Sequence, residues 1–330
     1  MRFDWAVTVL SALFCAGVFI DGWAHTHGRV DDSFFTPWHA ALYGGYLATA
    51  ALLVGRATWG VRRGATWRHA LPPGYGLSLI GVACWIVGGP FDAVWHTVFG
   101  FEADVDALMS PAHTILALGF GLMASGPMRA ALARPRGRWL EELPLVLSLT
   151  FVVSIMTFFT QIAHPASNLF ADRWAPRTYE WTALGVTGTL LTAAILSAPM
   201  LLLLRHVRLP PGAITIVATV NAVAMGFLFG AGPYPRTAVI ALALGGLAAD
   251  ILRSALRPLP ERCAAFRAFS VALPACLVGG YFVGLGATTG LVWSTHVWIG
   301  TIVFAGVVGW LLSYLVLPPA VVSAPASRDR

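Results

Sequence analysis

Two patterns of aspartate and histidine recur along the chain, and both combine residue types that bind transition metals. In each pattern an aspartate precedes a histidine by four residues, which puts both side chains on one helical face. A second histidine follows later, two positions after a proline. The patterns consist of Asp21, His25 and His39, and of Asp92, His96 and His113. Imidazole with carboxylate suits copper, zinc, iron or nickel, and three protein ligands leave a coordination position open for chemistry.

Weaker versions of the pattern supply further candidate ligands. His164 follows Gln161 in a degenerate third copy, and His296 ends the segment Trp293-Ser294-Thr295-His296. We predict that both join the metal cluster. Glu102 lies in an acidic loop that would support a ligand or guide the ion, or would simply be solvated.

Two arginines occupy related places in the copies that lack the second histidine. Arg177 lies in Ala175-Pro176-Arg177-Thr178, and Arg236 in Tyr234-Pro235-Arg236-Thr237. Because a guanidinium group binds carboxylate or phosphate bidentately, we expect an anionic ligand such as a lipid head group. The alternative is that both arginines extend toward the membrane surface and bind nothing specific.

The Asp-x3-His…His arrangement resembles the copper site in the C subunit of the copper membrane monooxygenases, which oxidise methane and ammonia. In that family an aspartate, a histidine four residues on and a later histidine bind copper. The resemblance implies copper at Asp92, His96 and His113, or at Asp21, His25 and His39, with iron or zinc as alternatives. The spacing of the histidines differs from that family, and this chain has more helices. The chain also looks like polytopic membrane proteins of bacteria.

The elements that must position these residues are apolar helices. The chain is 57% hydrophobic and 11% charged, whereas a soluble domain carries roughly a quarter charged residues. We therefore predict an all-α integral membrane protein, with about ten transmembrane helices built from repeated helical hairpins. The predicted helices lie near 5–24, 35–55, 74–96, 109–128, 143–164, 181–204, 212–231, 236–254, 267–287 and 293–317.

The arginines indicate the orientation in the membrane. They cluster in the loops that follow the second, fourth, sixth and eighth predicted helices, and cytoplasmic loops carry such an excess of basic residues. Both termini are then cytoplasmic, in a multi-pass protein of the inner or plasma membrane, and the histidine patterns lie at the opposite face. Residues 1–317 form one transmembrane domain, and 318–330 a disordered tail. The orientation of the protein in the membrane accounts for the basic residues in these loops, so we do not expect nucleic acid to be a partner.

These patterns favour a metal-dependent membrane enzyme, either a monooxygenase-like oxidoreductase or a hydrolase of a lipid-like substrate. Three other functions stay open: a metal transporter, a haem b electron carrier with His39 and His113 as axial ligands, and a non-enzymatic scaffold or assembly factor. Other membrane subunits are possible partners beside the lipid bilayer. The sequence does not identify the catalytic residues.

Overall fold

The computed structural model describes residues 1–29, 36–100, 108–135, 137–229 and 234–319. In these ranges the chain is helical, apart from turns, two short 3-10 helices (Trp67–His69 and Gln161–Ala163) and one isolated β-bridge between Asp172 and Leu291. The helices are α1 (Arg2–Thr26), α2 (Pro37–Arg62), α3 (Gly76–Phe99), α4 (Pro111–Ala124), α5 (Gly126–Leu132), α6 (Trp139–Phe159), α7 (Pro165–Asn168), α8 (Tyr179–His206), α9 (Ala213–Phe229), α10 (Tyr234–Leu256), α11 (Cys263–Thr288) and α12 (Thr295–Val316).

The helices identify a multi-pass membrane protein, as the composition predicts. Within the described ranges, α1, α3, α6, α8, α10, α11 and α12 are each long and apolar enough to cross a bilayer, and α4 with α5 forms an eighth candidate bent by 41°. The prediction of ten spans is therefore confirmed only in part. Helix α9 has 17 residues and is short for a span, and α2 is less apolar because it carries His39, Arg56 and several tyrosines and glycines.

Glycines let the first two helical hairpins pack closely. A Cβ added to Gly45 on α2 would lie 2.5 Å from the Cα of Phe14 on α1. In the next hairpin, a Cβ on Gly81 of α3 would lie 2.6 Å from the carbonyl oxygen of Gly119 on α4. Helices in a membrane gain little from burying apolar surface against each other, so such close backbone contact is a main source of association.

The same capping motif starts α2 and α4. The side-chain oxygen of Thr36 accepts a hydrogen bond from the backbone N–H of His39 at 3.1 Å, and Ser110 accepts one from His113 at 3.1 Å. A proline fills the first position of each helix, where no backbone N–H is needed. Local capping chemistry therefore holds each histidine in the first turn of its helix.

The predicted third copy of this motif is shifted in the structure. Helix α8 begins at Tyr179, and the hydroxyl of Thr178 accepts a hydrogen bond from the N–H of Trp181 at 3.2 Å. Ala175 has no side-chain oxygen to act as a cap, so Pro176 does not start the helix. Arg177 consequently precedes α8 and does not occupy the place of a helical ligand.

Candidate metal centre

The first cluster joins the end of α1 to the start of α2. The Nε2 atom of His25 lies 3.8 Å from Oδ2 of Asp21, and Nε2 of His39 lies 3.6 Å from Oδ1 of the same carboxylate. One potential ligand atom from each residue lies within 4.8 Å of the other two. All three side chains are partly buried, so they are partly shielded from water.

The second cluster repeats this arrangement between α3 and α4, and it is more deeply buried. Oδ1 of Asp92 lies 3.5 Å from Nε2 of His96 and 3.1 Å from Nε2 of His113. The side chain of Asp92 is 4% exposed, whereas that of His113 is 26% exposed. The cluster is therefore closed around its carboxylate and open at one histidine, which leaves a route for an ion or a small ligand.

Three of the four nitrogen–oxygen distances in the clusters are longer than ordinary hydrogen bonds, and two of them match the ligand spacing of a metal site. Zinc-like ions bind nitrogen and oxygen at about 2.0–2.2 Å, so the ligands of a tetrahedral site stand about 3.3–3.6 Å apart. The four nitrogen–oxygen distances run from 3.1 to 3.8 Å. Hydrogen bonds between nitrogen and oxygen lie mostly between about 2.7 and 3.2 Å. Only the contact between His113 and Asp92 falls in that range.

A backbone carbonyl lies beside the ring of His96. Its Nδ1 atom lies 3.3 Å from the carbonyl oxygen of Gly100, and that oxygen can only accept a hydrogen bond. When Nδ1 donates to this carbonyl, Nε2 is left with a lone pair that faces the Asp92 carboxylate at 3.5 Å. In that tautomer Nε2 and the carboxylate could bind the same cation. Histidine ligands of metals are oriented by the same kind of backbone contact.

Two buried carboxylates elsewhere in the fold are each paired with an arginine. Asp4 has Arg134 at 3.6 Å and accepts a hydrogen bond from the hydroxyl of Tyr75 at 2.7 Å. Asp250 has Arg253 at 3.3 Å. In the part of the chain that the structure describes, the ion pairs of Asp21 and Asp92 are instead with histidines. A bound cation would therefore offset the cost of burying these two carboxylates.

His164 lies outside both clusters. Its Nδ1 atom accepts a hydrogen bond from the backbone N–H of Ala166 at 3.1 Å, so Nε2 carries the proton and donates it to Oδ1 of Asn221 at 3.2 Å. Asn221 in turn donates to the hydroxyl of Thr157 at 2.6 Å. Both ring nitrogens are thereby engaged in joining α6, α7 and α9, and the structure does not bring His164 to the predicted ligand position.

The buried state of His164 predicts a loss of stability in acid. This residue lies past the end of α6, and burial lowers its pKa from the ordinary 6.5 to about 4. The unfolded chain therefore takes up a proton between pH 6.5 and 4 that the folded chain excludes. The buried, neutral His164 therefore contributes fully to the stability of the folded protein above pH 6.5. We expect the melting temperature to fall as the pH drops toward 4.

The measurement is thermal unfolding in detergent at a series of pH values. We expect His164→Gln to unfold at lower temperature at neutral pH and to lose part of this pH dependence. His296→Gln, at an exposed position, is the control and should behave like the wild type. If the melting temperature changed with pH equally in the wild type and in His164→Gln between pH 6.5 and 4, His164 would not be the source of this pH dependence.

The remaining predicted residues do not join the clusters. His296 is exposed in the first turn of α12, Arg177 is exposed before α8, and Arg236 is exposed at the start of α10. Glu102 lies in 101–107, outside the described residues, as does the predicted tail from residue 320 onward. Position in a repeat is therefore a weaker guide to the ligands than the full aspartate and double-histidine pattern.

The sequence patterns did not identify two groups that lie at the site. The carbonyl of Gly100 has no side chain to reveal it, although a glycine at the end of α3, here with φ of 83°, is a common helix stop. Tyr43 lies four residues after His39, and its ring centroid is 6.3 Å from that of the histidine. The spacing of four is the signal that could have identified Tyr43 as a neighbour of the site.

Comparison of the chain with protein-family models, with characterised proteins and with solved structures finds no match. The described residues themselves show what kind of protein this is. The chain is an all-helical, multi-pass membrane protein with two Asp–His–His clusters, one on each of its first two helical hairpins, that could hold metal ions.

Proposed function

We propose that this protein binds two transition-metal ions through its Asp–His–His clusters and uses them as a metal-dependent membrane enzyme. The observation that carries the proposal is the buried Asp92 carboxylate, which faces Nε2 of His96 and His113 at 3.5 and 3.1 Å. Each cluster offers three protein ligands, which leaves coordination positions for a substrate, water or oxygen. This favours catalysis over a structural site, which normally has four protein ligands.

The ligand atoms favour a borderline metal. Neither cluster contains a thiolate or thioether, and two imidazoles with one carboxylate suit copper(II), iron(II) and zinc. We propose copper first, on the resemblance to the monooxygenase C subunit, with iron or zinc as alternatives. A redox metal bound here would support oxidation of a membrane substrate, and zinc would support hydrolysis.

The proposal includes the membrane arrangement. We propose that all ten predicted helices cross an inner or plasma membrane as five hairpins, with both termini in the cytoplasm. The clusters then face the opposite side, where they meet lipid and periplasmic or external solutes. An anionic or lipid-like ligand near Arg177 and Arg236, and further membrane subunits, complete the proposal.

The test is metal analysis of the protein purified in detergent. We expect two equivalents of one transition metal in the wild type, and loss of both in the double variant His39→Ala with His113→Ala. A matched double variant, His206→Ala with His296→Ala, removes two exposed histidines and should keep both ions.

The outcomes separate the alternative functions. Absence of metal from the wild type after reconstitution with copper, iron and zinc would contradict the metalloenzyme and favour a scaffold. A haem absorption band would reassign His39 and His113 as axial ligands. Metal uptake into vesicles that contain the protein would identify a transporter.

A further inference from the structure

We infer that the two clusters form a single two-metal centre, in which Tyr43 packs below both ions and each ion weakens the binding of the other. The inference rests on the proposed metal binding and adds that the sites act together. Its basis is the way α2 and α3, which each contribute to one cluster, face each other across Tyr43.

On α2, Tyr43 follows the ligand His39 by four residues, so both side chains lie on the same face of the helix. Their ring centroids are 6.3 Å apart. At a rise of 1.5 Å per residue, Tyr43 lies about 6 Å further along the helix axis than His39. His39 and Tyr43 therefore form one continuous surface of α2.

The face of α3 that carries Asp92 receives this tyrosine. A Cβ placed on Gly89 would lie 3.3 Å from both Cε1 and the hydroxyl oxygen of Tyr43, so the missing side chain admits the phenol ring. The ring centroid of Trp85, one turn earlier on α3, is 5.7 Å from that of Tyr43. Asp92 follows Gly89 by three residues and lies on the same face.

The directions of the helices bring the two clusters to the same level. Consecutive helices α2 and α3 run antiparallel, so His39 lies about 6 Å from Tyr43 and Asp92 about 4.5 Å from Gly89, both toward the same end of the bundle. Packed helices have axes about 8–10 Å apart. The ligands of the two sites are therefore separated by about one interhelical distance, with the phenol of Tyr43 below them.

The charges of the two clusters act on each other. Asp21 lies within electrostatic range of Asp92 and His113, and His25 lies within range of His96. The phenol of Tyr43 lies within range of both carboxylates. Each divalent ion with its aspartate leaves a net positive charge, so the first ion opposes the second. At the interhelical distance and an effective dielectric constant near 20, this repulsion lowers the affinity for the second ion by about tenfold or more.

The test uses copper(II) alone as the probe, titrated into the metal-free, full-length protein in detergent. His39→Ala and His113→Ala each leave one complete cluster. We expect the wild type to bind two copper ions in two steps. The dissociation constant of the second step should be about tenfold higher than that of the variant that keeps only the corresponding cluster. We also expect magnetic dipolar broadening in the electron paramagnetic resonance spectrum of the doubly loaded wild type. The spectra of the single-cluster variants should lack this broadening.

Tyr43→Phe tests the place of the tyrosine. We expect it to keep two copper ions and to change the spectra of both, because the hydroxyl group lies near both sites. Tyr46→Phe is the matched control, since that buried hydroxyl donates a hydrogen bond to the carbonyl of Val82 at 3.2 Å, away from the clusters. Its copper spectra should match the wild type.

Failure of this inference can be told from failure of the proposed function. Two bound coppers whose affinities and spectra equal the sum of the single-cluster variants would overturn the inference and leave metal binding intact. If the spectra of both copper ions were unchanged in Tyr43→Phe, the tyrosine would not be part of the centre. Copper uptake that persists in the variant lacking both His39 and His113 would overturn the proposed function itself.

Discussion

Replacing Asp92 by asparagine is expected to weaken metal binding at the second cluster by about 100-fold or more, while the metal-free protein stays at least as stable as the wild type. Asparagine keeps the shape of the side chain but removes the anionic ligand, and the loss of a ligand should exceed the 10–100-fold cost of losing its supporting contacts. The metal-free protein benefits because the carboxylate is 4% exposed and has only histidines as described ion-pair partners.

Thermal unfolding with and without added metal measures both effects. An ion at 100 times its dissociation constant stabilises the folded state by about 2.7 kcal/mol, and Asp92→Asn should lose the share that belongs to the second cluster. Glu261→Gln, which changes an exposed carboxylate, should keep the full metal response. A metal-free Asp92→Asn protein that melts well below the wild type would show that the carboxylate is itself a structural partner of the histidines.

The second large effect is expected at the crossing of α11 and α12. A Cβ added to Gly309 would lie 1.8 Å from the carbonyl oxygen of Ser270 and 2.7 Å from Cγ of Pro274. Because the first of these atoms belongs to the backbone, the two helices must separate to admit a methyl group. We expect Gly309→Ala to destabilise the protein by about 3 kcal/mol, the upper end of the usual cost of overpacking.

Gly300 on the same helix is the matched control. Nothing lies within 4 Å of a Cβ placed there, so Gly300→Ala should gain about 0.5–1 kcal/mol from helix propensity. Comparison of melting temperatures and of the yield of folded protein in detergent tests the pair. Similar melting temperatures for the two variants would mean that α11 and α12 do not pack as closely as the structure has them.

Much of this fold is visible in the sequence because it depends on local chemistry. A helix lies at each of the ten predicted apolar runs, although seven of them, with α4 and α5 as an eighth, are apolar and long enough to be assigned as spans. The Thr-Pro-x-His and Ser-Pro-x-His motifs start helices as expected. The third copy misleads because Thr178, and not the residue before Pro176, caps the helix.

The sequence by itself predicted that Asp21, His25 and His39 would lie together, and likewise Asp92, His96 and His113, and the structure brings each set together. Asp21 and His25 share a helical face through their spacing of four, and capping holds His39 in the first turn of α2. The hairpin connection then brings the two helix ends together. Each step uses residues that are close along the chain, so periodicity and capping are sufficient to predict it.

Only the tertiary structure decided which other histidines lie outside the two clusters and how near the clusters lie to each other. His164 is engaged by Asn221, a residue from another helix, and no spacing in the sequence reveals that contact. Between the clusters, the ring of Tyr43 on α2 lies against Gly89 on α3. Such contacts join helices whose relative height and rotation are set by side-chain packing, so they exist only once the bundle is assembled.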